Sequence, residues 1–178
     1  MTSEPTETSH ATAGNHPDPR LRDPQLWMAW ALLGLFTAFV LLLGGERFSA
    51  ASSYRWFAQV VLFFDSEASN GDIWFFFRWA RKLAHAVEYA VLALFAFRAA
   101  RLSLAHPLGR IVLVAGLFTA LVAGADEARQ STLGGRSGSM LDVWIDVVSA
   151  AVALGVLVLL RVRRVALGAS DRITSPAS

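Results

Sequence analysis

The chain contains no cysteine, only two tyrosines, and a single lysine (Lys82) in 178 residues. Without cysteine there is no disulfide, no thiolate nucleophile and no thiolate metal ligand. Charge is scarce as well. Asp, Glu, Lys and Arg make up 17% of the residues, against about a quarter in soluble domains, and the net charge is only +2. So little polar side chain cannot coat a soluble globule, which sets aside an ordinary cytosolic enzyme. No basic stripe of the kind that tracks a nucleic-acid backbone is present, so nucleic acid is not an expected partner. The pI of about 9.7 reflects a few surplus arginines in an acid-poor chain. Apolar residues, by contrast, reach 54% before glycine is counted, where soluble domains reach roughly 45–50% with it included. This is the composition of an integral membrane protein.

Residues 1–25 are a Thr/Ser/Pro/His mixture with almost nothing to bury, and read as a disordered tail. Between Asp23 and Glu46 lie 22 uncharged residues rich in Leu, Ala, Trp and Phe, enough to cross about 30 Å of hydrocarbon as a helix. The run is too long for the core of a cleaved signal peptide, and its only Ala-x-Ala-like site follows Glu46 and Arg47, so a retained helix is expected. A second span is expected from Arg81 to Phe97 and a third from Ile111 to Ala125, the latter running into Asp126-Glu127-Ala128-Arg129-Gln130. A fourth is expected from Met140 to Leu160, with Asp142 and Asp146 in its first two turns. Pro107 and Gly109, then Gly134-Gly135, mark the turns between the last three spans. The aromatic stretches WFAQVVLFF and IWFFFRW within Ser52–Trp79 are too short and interrupted to span. A fifth span there would place Asp65, Glu67 and Asp72 in lipid, so one or two interfacial helices are expected instead. The fold class that follows is all-α: a polytopic membrane protein with a four-transmembrane-helix bundle and an interfacial aromatic helix between helices one and two. Its domain is expected over residues 26–164, with a polar tail at 165–178.

With four spans, nine arginines fall on the side of the two termini and seven cations on the other. That bias places both termini in the cytoplasm of a cytoplasmic or inner membrane. The start of the second span, the end of the third and the start of the fourth then share the extracytoplasmic side, where the unusual polar residues also lie. On a helix, Lys82, His85 and Tyr89 fall within an arc of about 60°, with Glu88 beside them. Asp126 and Gln130 share a face, with Glu127 next to Gln130, while Asp142 and Asp146 stack one turn apart. Gly116, Ala120 and Gly124 form a small-residue ridge that would let helices approach closely. Glu88, Asp126, Glu127, Asp142 and Asp146 facing lipid would together cost on the order of 12 kcal/mol. They are therefore expected to meet Lys82, His85, Arg129 and Arg136, or to line a wet pocket.

Lys82-x-x-His85-x-x-x-Tyr89-x-x-Leu92 resembles the second-helix motif of VanZ-like membrane proteins. Asp126-Glu127-x-x-Gln130, Gly135-Arg136 and Asp142-x-x-x-Asp146 resemble their longer motif. Together these motifs cover residues 82–160. The sequence departs from the family pattern at Arg129 (often His), Gly134-Gly135 (often Pro-Gly), Asp146 (often Asn) and Ser149 (often Gly). The family is named for a protein linked to low-level resistance to teicoplanin. The resemblance therefore implies a bacterial cell-envelope protein that contributes to glycopeptide resistance or recognises an envelope lipid or wall precursor.

Three readings of the polar cluster follow. In the first, it is an interhelical ion-pair network that holds the bundle together. In the second, it is a recognition site. Lys82 and Arg136 would hold an anionic group, while Tyr89, Gln130, Asp142 and Asp146 would hydrogen-bond a lipid headgroup, a lipid-linked wall precursor or a glycopeptide. In the third, a membrane-embedded hydrolase or transferase acts on a lipid-linked substrate, with Glu127 or Asp126 as general base and His85 as proton relay. That reading lacks a nucleophile, because Ser131, Ser137 and Ser139 sit in no elbow motif. No cofactor or metal signature is present, the spacing HExxH included. Besides the lipid bilayer, a second copy of the chain remains open as a partner.

Overall fold

The computed structural model describes residues 23–43, 50–132 and 140–174, which form five helices and the connections from the second to the third and from the third to the fourth. These are α1 (Pro24–Leu43), α2 (Ala50–Phe64), α3 (Asn70–Ser103), α4 (Leu108–Thr132) and α5 (Met140–Thr174). Four stretches are long and apolar enough to cross a membrane: Pro24–Leu43, Asn70–Ser103, Leu108–Thr132 and Met140–Leu167. The expected four spans are therefore present, and the chain is a multi-pass membrane protein. Among the described residues there is no strand.

Local chemistry sets the helix starts. Asp23 accepts a hydrogen bond from the backbone N–H of Gln25 (2.8 Å) ahead of Pro24, which suits a first helical turn because it has no N–H to satisfy. Ser69 caps α3 by accepting from the N–H of Asp72 (3.2 Å), and it donates its own hydroxyl to the Asp72 carboxylate (2.7 Å). At the far end of α3 the N–H of Leu104 bonds the carbonyl of Ala100 (2.8 Å), and Pro107 precedes α4. Gly109 lies inside the first turn of α4 rather than in the preceding turn.

Two boundaries differ from the sequence expectation. The IWFFFRW stretch is not a separate interfacial helix; it forms the first turns of α3, which is 34 residues long. At 1.5 Å per residue that is about 51 Å, well beyond the hydrocarbon thickness. The charges at Arg78, Arg81 and Lys82 read as the end of an apolar run, but a helix's own hydrogen bonds do not stop at a membrane boundary. α2 is the one separate aromatic helix, and it packs on this extension through Tyr54 against Trp74 (5.3 Å) and Phe77 (5.4 Å), and Phe57 against Phe77 (5.6 Å). At the other end of the chain, α5 continues to Thr174, past Arg164 where a loose tail was expected.

α3 is the central element, packed against each of the other four helices. Its buried face (Tyr89, Leu92, Ala93, Ala96, Phe97, Ala99 and Ala100) is mostly alanine, as close helix approach in lipid requires. The stripe that α4 buries is Ile111, Ala115, Thr119, Ala123, Asp126 and Gln130, not the expected Gly116–Ala120–Gly124 ridge. A Cβ at Gly116 would touch Leu154 of α5 at 3.9 Å, but nothing lies within 4 Å of one at Gly124. Inside the bundle, the hydroxyls of Thr37, Thr119 and Ser149 return to the carbonyl four residues back in their own helices, so none is left unsatisfied. Large apolar side chains such as Leu35, Leu42, Leu121 and Val152 point outward, where lipid would cover them.

Candidate functional site

The polar residues of α3, α4 and α5 meet at one end of the bundle, and there they divide into two groups. The first surrounds Asp126, which is 2% exposed. Its Oδ1 accepts from Nη2 of Arg129 at 2.7 Å. Its Oδ2 accepts from Nε2 of Gln130 at 2.5 Å and from the Tyr89 hydroxyl at 3.4 Å. Arg129 and Gln130 stand three and four residues after Asp126, so one face of α4 brings all three together. The same Nη2 of Arg129 donates to the carbonyl of Leu41 at 2.6 Å, tying the last turn of α1 to α4. A carboxylate with three donors, one of them cationic, has its charge and lone pairs answered within the protein.

The second group opens to the outside. Between α3 and α5 lies a cleft of about 270 Å³ whose polar lining is Arg78, Arg81, Lys82, His85, Asp142 and Asp146. On α3 these side chains follow the i, i+3, i+4, i+7 rhythm of a single helix face, and Asp142 and Asp146 are one turn apart on α5. Asp146 is 4% exposed, yet its Oδ1 has no hydrogen-bond partner among the described residues. Nδ1 of His85 is the nearest ionisable group at 3.9 Å, too far for a hydrogen bond, and is itself unpartnered. Arg81 sits in the field of Asp142, Glu127, Glu88 and Asp126. The His85 ring lies parallel to that of Tyr89 (centroids 6.4 Å apart, 6° between planes), so the two groups touch through stacked rings. A second hollow, of about 310 Å³, shares Arg78 and Lys82 with the cleft and is walled by Trp74, Phe75 and Trp79. The Lys82 ammonium stands 5.9 Å from the Trp79 ring.

Of the residues expected to converge in one pocket, Lys82, His85 and Asp142 line the cleft, together with Asp146. Glu127 does not line it; it is half-buried on α4 and reaches the cleft electrostatically through Arg81. Arg136, Ser137 and Ser139 lie outside the described residues. Tyr89, Asp126 and Gln130 belong to the buried network, so Tyr89 and Gln130 present their polar groups to Asp126 rather than to the cleft. Asp126, a candidate base, has both oxygens occupied, and the hydroxyl of Ser131 donates to the carbonyl of Ala128. Arg78 and Arg81 were not singled out from the sequence except as topology charges, although their spacing from Lys82 and His85 carries the signal. Among the described residues no group of three or more His, Asp or Glu side chains is placed to hold a metal ion.

Three cations, an imidazole and two carboxylates around one opening can take a ligand that is anionic at one point and a donor at another. Arginine can supply bidentate hydrogen bonds to phosphate or carboxylate, and carboxylates such as Asp142 and Asp146 can accept from a hydroxyl or ammonium. Comparison with curated proteins and with solved structures gives no match. Residues 26–161, about three quarters of the chain, match the family model described as VanZ/LLP1, and the chain belongs to that family.

Proposed function

We propose that this protein recognises a polar component of the cell envelope, a lipid headgroup or a lipid-linked wall precursor, in the cleft between α3 and α5. Glycopeptide resistance would be a consequence of that binding. The observation that carries the reading is Asp146: a buried carboxyl group, one oxygen of which has no hydrogen-bond partner among the described residues, lining a cleft that also presents Arg78, Arg81 and Lys82. Burying a carboxylate without a partner is costly, so a protein retains one where a ligand completes it. Arg78, Arg81 and Lys82 receive the anionic part, and Asp142 and Asp146 accept from hydroxyl or amide groups. The adjoining wall of Trp74, Phe75 and Trp79 suits the apolar portion of an amphipathic molecule.

The cleft faces the extracytoplasmic side on this reading. The cation distribution supports that orientation by a small margin, nine on the side of the termini against seven on the cleft side.

The test is teicoplanin susceptibility of a wall-bearing bacterial host that has no VanZ-like protein, carrying empty vector, wild type, Arg81→Gln or Asp142→Asn, with membrane abundance measured for each. Wild type is expected to raise the inhibitory concentration, and both cleft variants to lose that gain at equal abundance. Resistance that persists in both variants, or a well-inserted wild type without effect, overturns the reading.

A further inference from the structure

The opposite end of the bundle carries a second site. Here α3 and α5 leave two adjoining hollows, of about 460 Å³ and 690 Å³, which share Leu94, Leu157 and Arg161. The first is an apolar groove along Leu94, Ala153, Leu157 and Leu160 that ends at Arg161 and Arg164. The second is rimmed by Arg98, Arg101 and Arg161. Each arginine lies one turn beyond a groove leucine, Arg98 after Leu94 and Arg161 after Leu157, so both helices change from apolar to cationic at the same level. Arg161 lies in the field of Arg101 and Arg164, charges of its own sign, and its guanidinium sits 5.0 Å from the Phe97 ring. Among the described residues no carboxylate forms an ion pair with any of these four arginines; the ion pairs present belong to the other end.

We infer that this end binds one molecule of an anionic diacyl phospholipid, its phosphate held by Arg98, Arg101 and Arg161 and an acyl chain lying in the α3–α5 groove. The charge argument is direct. Four like charges gathered without a counter-ion among the described residues repel one another, and a phosphate relieves that repulsion while matching the guanidinium fork. The groove argument selects a lipid over a free anion. The cations stand at the mouth of an apolar channel within the spans, which an acyl chain can fill by van der Waals packing and a soluble phosphate cannot. The inference is independent of the α3–α5 cleft at the other end, and a lipid here would staple α3 to α5 where α5 leaves the membrane.

Native mass spectrometry of the purified full chain in detergent, with equal amounts of dioleoyl phosphatidylglycerol and dioleoyl phosphatidylcholine, tests it. Wild type is expected to carry one phosphatidylglycerol in about tenfold preference, equivalent to about 1.4 kcal/mol. Arg98→Gln and Arg161→Gln should each cut that preference about fivefold, and the double variant should abolish it. Ala153→Phe, which leaves every charge in place, should weaken retention by filling the groove. Arg110→Gln, at the same end but outside both hollows, should match wild type. Because each single variant carries its own expectation, the test survives if the double variant does not fold. Equal retention of both lipids, an Arg110→Gln effect as large as that of Arg161→Gln, no effect of Ala153→Phe, or displacement of the lipid by equimolar glycerol phosphate would each overturn the proposal.

Discussion

Asp126 and Asp146 are two carboxylates at the same end of one small bundle, each almost fully buried, at 2% and 4% exposure. Their surroundings are opposite. Asp126 accepts from Arg129, Gln130 and Tyr89, and through Arg129 it fastens α1 to the bundle. Asp146 has an oxygen without a hydrogen-bond partner among the described residues, with His85 held 3.9 Å away. The lesson is that acids in a membrane bundle do not form one class. One has its hydrogen-bond partners among the described residues, and one oxygen of the other does not. A recognition function assigned to the cluster as a whole would mix the two.

The comparison breaks most visibly at Asp126. Replacing it with alanine leaves the Arg129 guanidinium, the Gln130 amide and the Tyr89 hydroxyl facing one another around a cavity. Removing one partner of a buried pair costs about 3–5 kcal/mol, so Asp126→Ala should lower the thermal midpoint in detergent by on the order of 10 °C and reduce folded yield. A midpoint unchanged within error would show that the network does not hold the bundle.

Arg129→Gln should have the next largest effect, about 1–3 kcal/mol, because it removes both a charged hydrogen bond and the link to the Leu41 carbonyl. Its signature is local: hydrogen exchange should quicken in the last turn of α1 more than in α5. Uniform loosening of the whole chain would mean that α1 is held by its apolar contacts alone.

Much of this arrangement is legible in the sequence. Four apolar runs fix four spans, and Asp65 and Glu67 keep α2 from forming a fifth, although 70–79 joins the helix of the second span. The gathering of Lys82, His85, Asp126, Asp142 and Asp146 at one end follows from counting spans. The division between Asp126 and Asp146 does not, because it depends on how the helices are rotated about their axes. α4 carries two small-residue stripes about 100° apart, Ala115–Thr119–Ala123 and Gly116–Ala120–Gly124, and the spacing favours neither. The helix turns the first inward, which carries Asp126 and Gln130 into the core. On α3, Lys82, His85 and Tyr89 share an arc, but Tyr89 lies one turn deeper and reaches α4 while His85 faces α5. The link from Arg129 to a backbone carbonyl of α1 leaves no trace in side-chain identities.

Tyr89→Phe sharpens the comparison from the other direction. The hydroxyl is the longest of the three donors to Asp126, at 3.4 Å, and the other two remain when it is removed. A loss of about 0.5–1 kcal/mol in denaturant or thermal unfolding is expected, with the His85 ring still stacked on phenylalanine. A loss as large as that of Arg129→Gln would mean that the hydroxyl carries more of the network than its length allows.

The smallest stability effect belongs to Asp146, and there the sign itself is informative. Among the described residues, nothing donates to its Oδ1 in return for the hydration this carboxyl group gives up on burial. Replacing it with leucine, an apolar side chain of the same branched shape, should leave stability unchanged or raise it by up to about 1 kcal/mol where the adjoining cleft takes the larger methyl groups, as happens when poorly compensated buried charges are removed. If the acid is retained for a ligand, Asp146→Leu should abolish teicoplanin protection in a protein at least as abundant as wild type. Asparagine, the residue the family pattern places at this position, keeps an oxygen acceptor in the cleft and should preserve protection. Stability and function thus separate at Asp146, whereas at Asp126 they should fall together. If Asp146→Leu instead destabilised the bundle as severely as Asp126→Ala, the oxygen would have a structural partner after all, and both acids would belong to the same network.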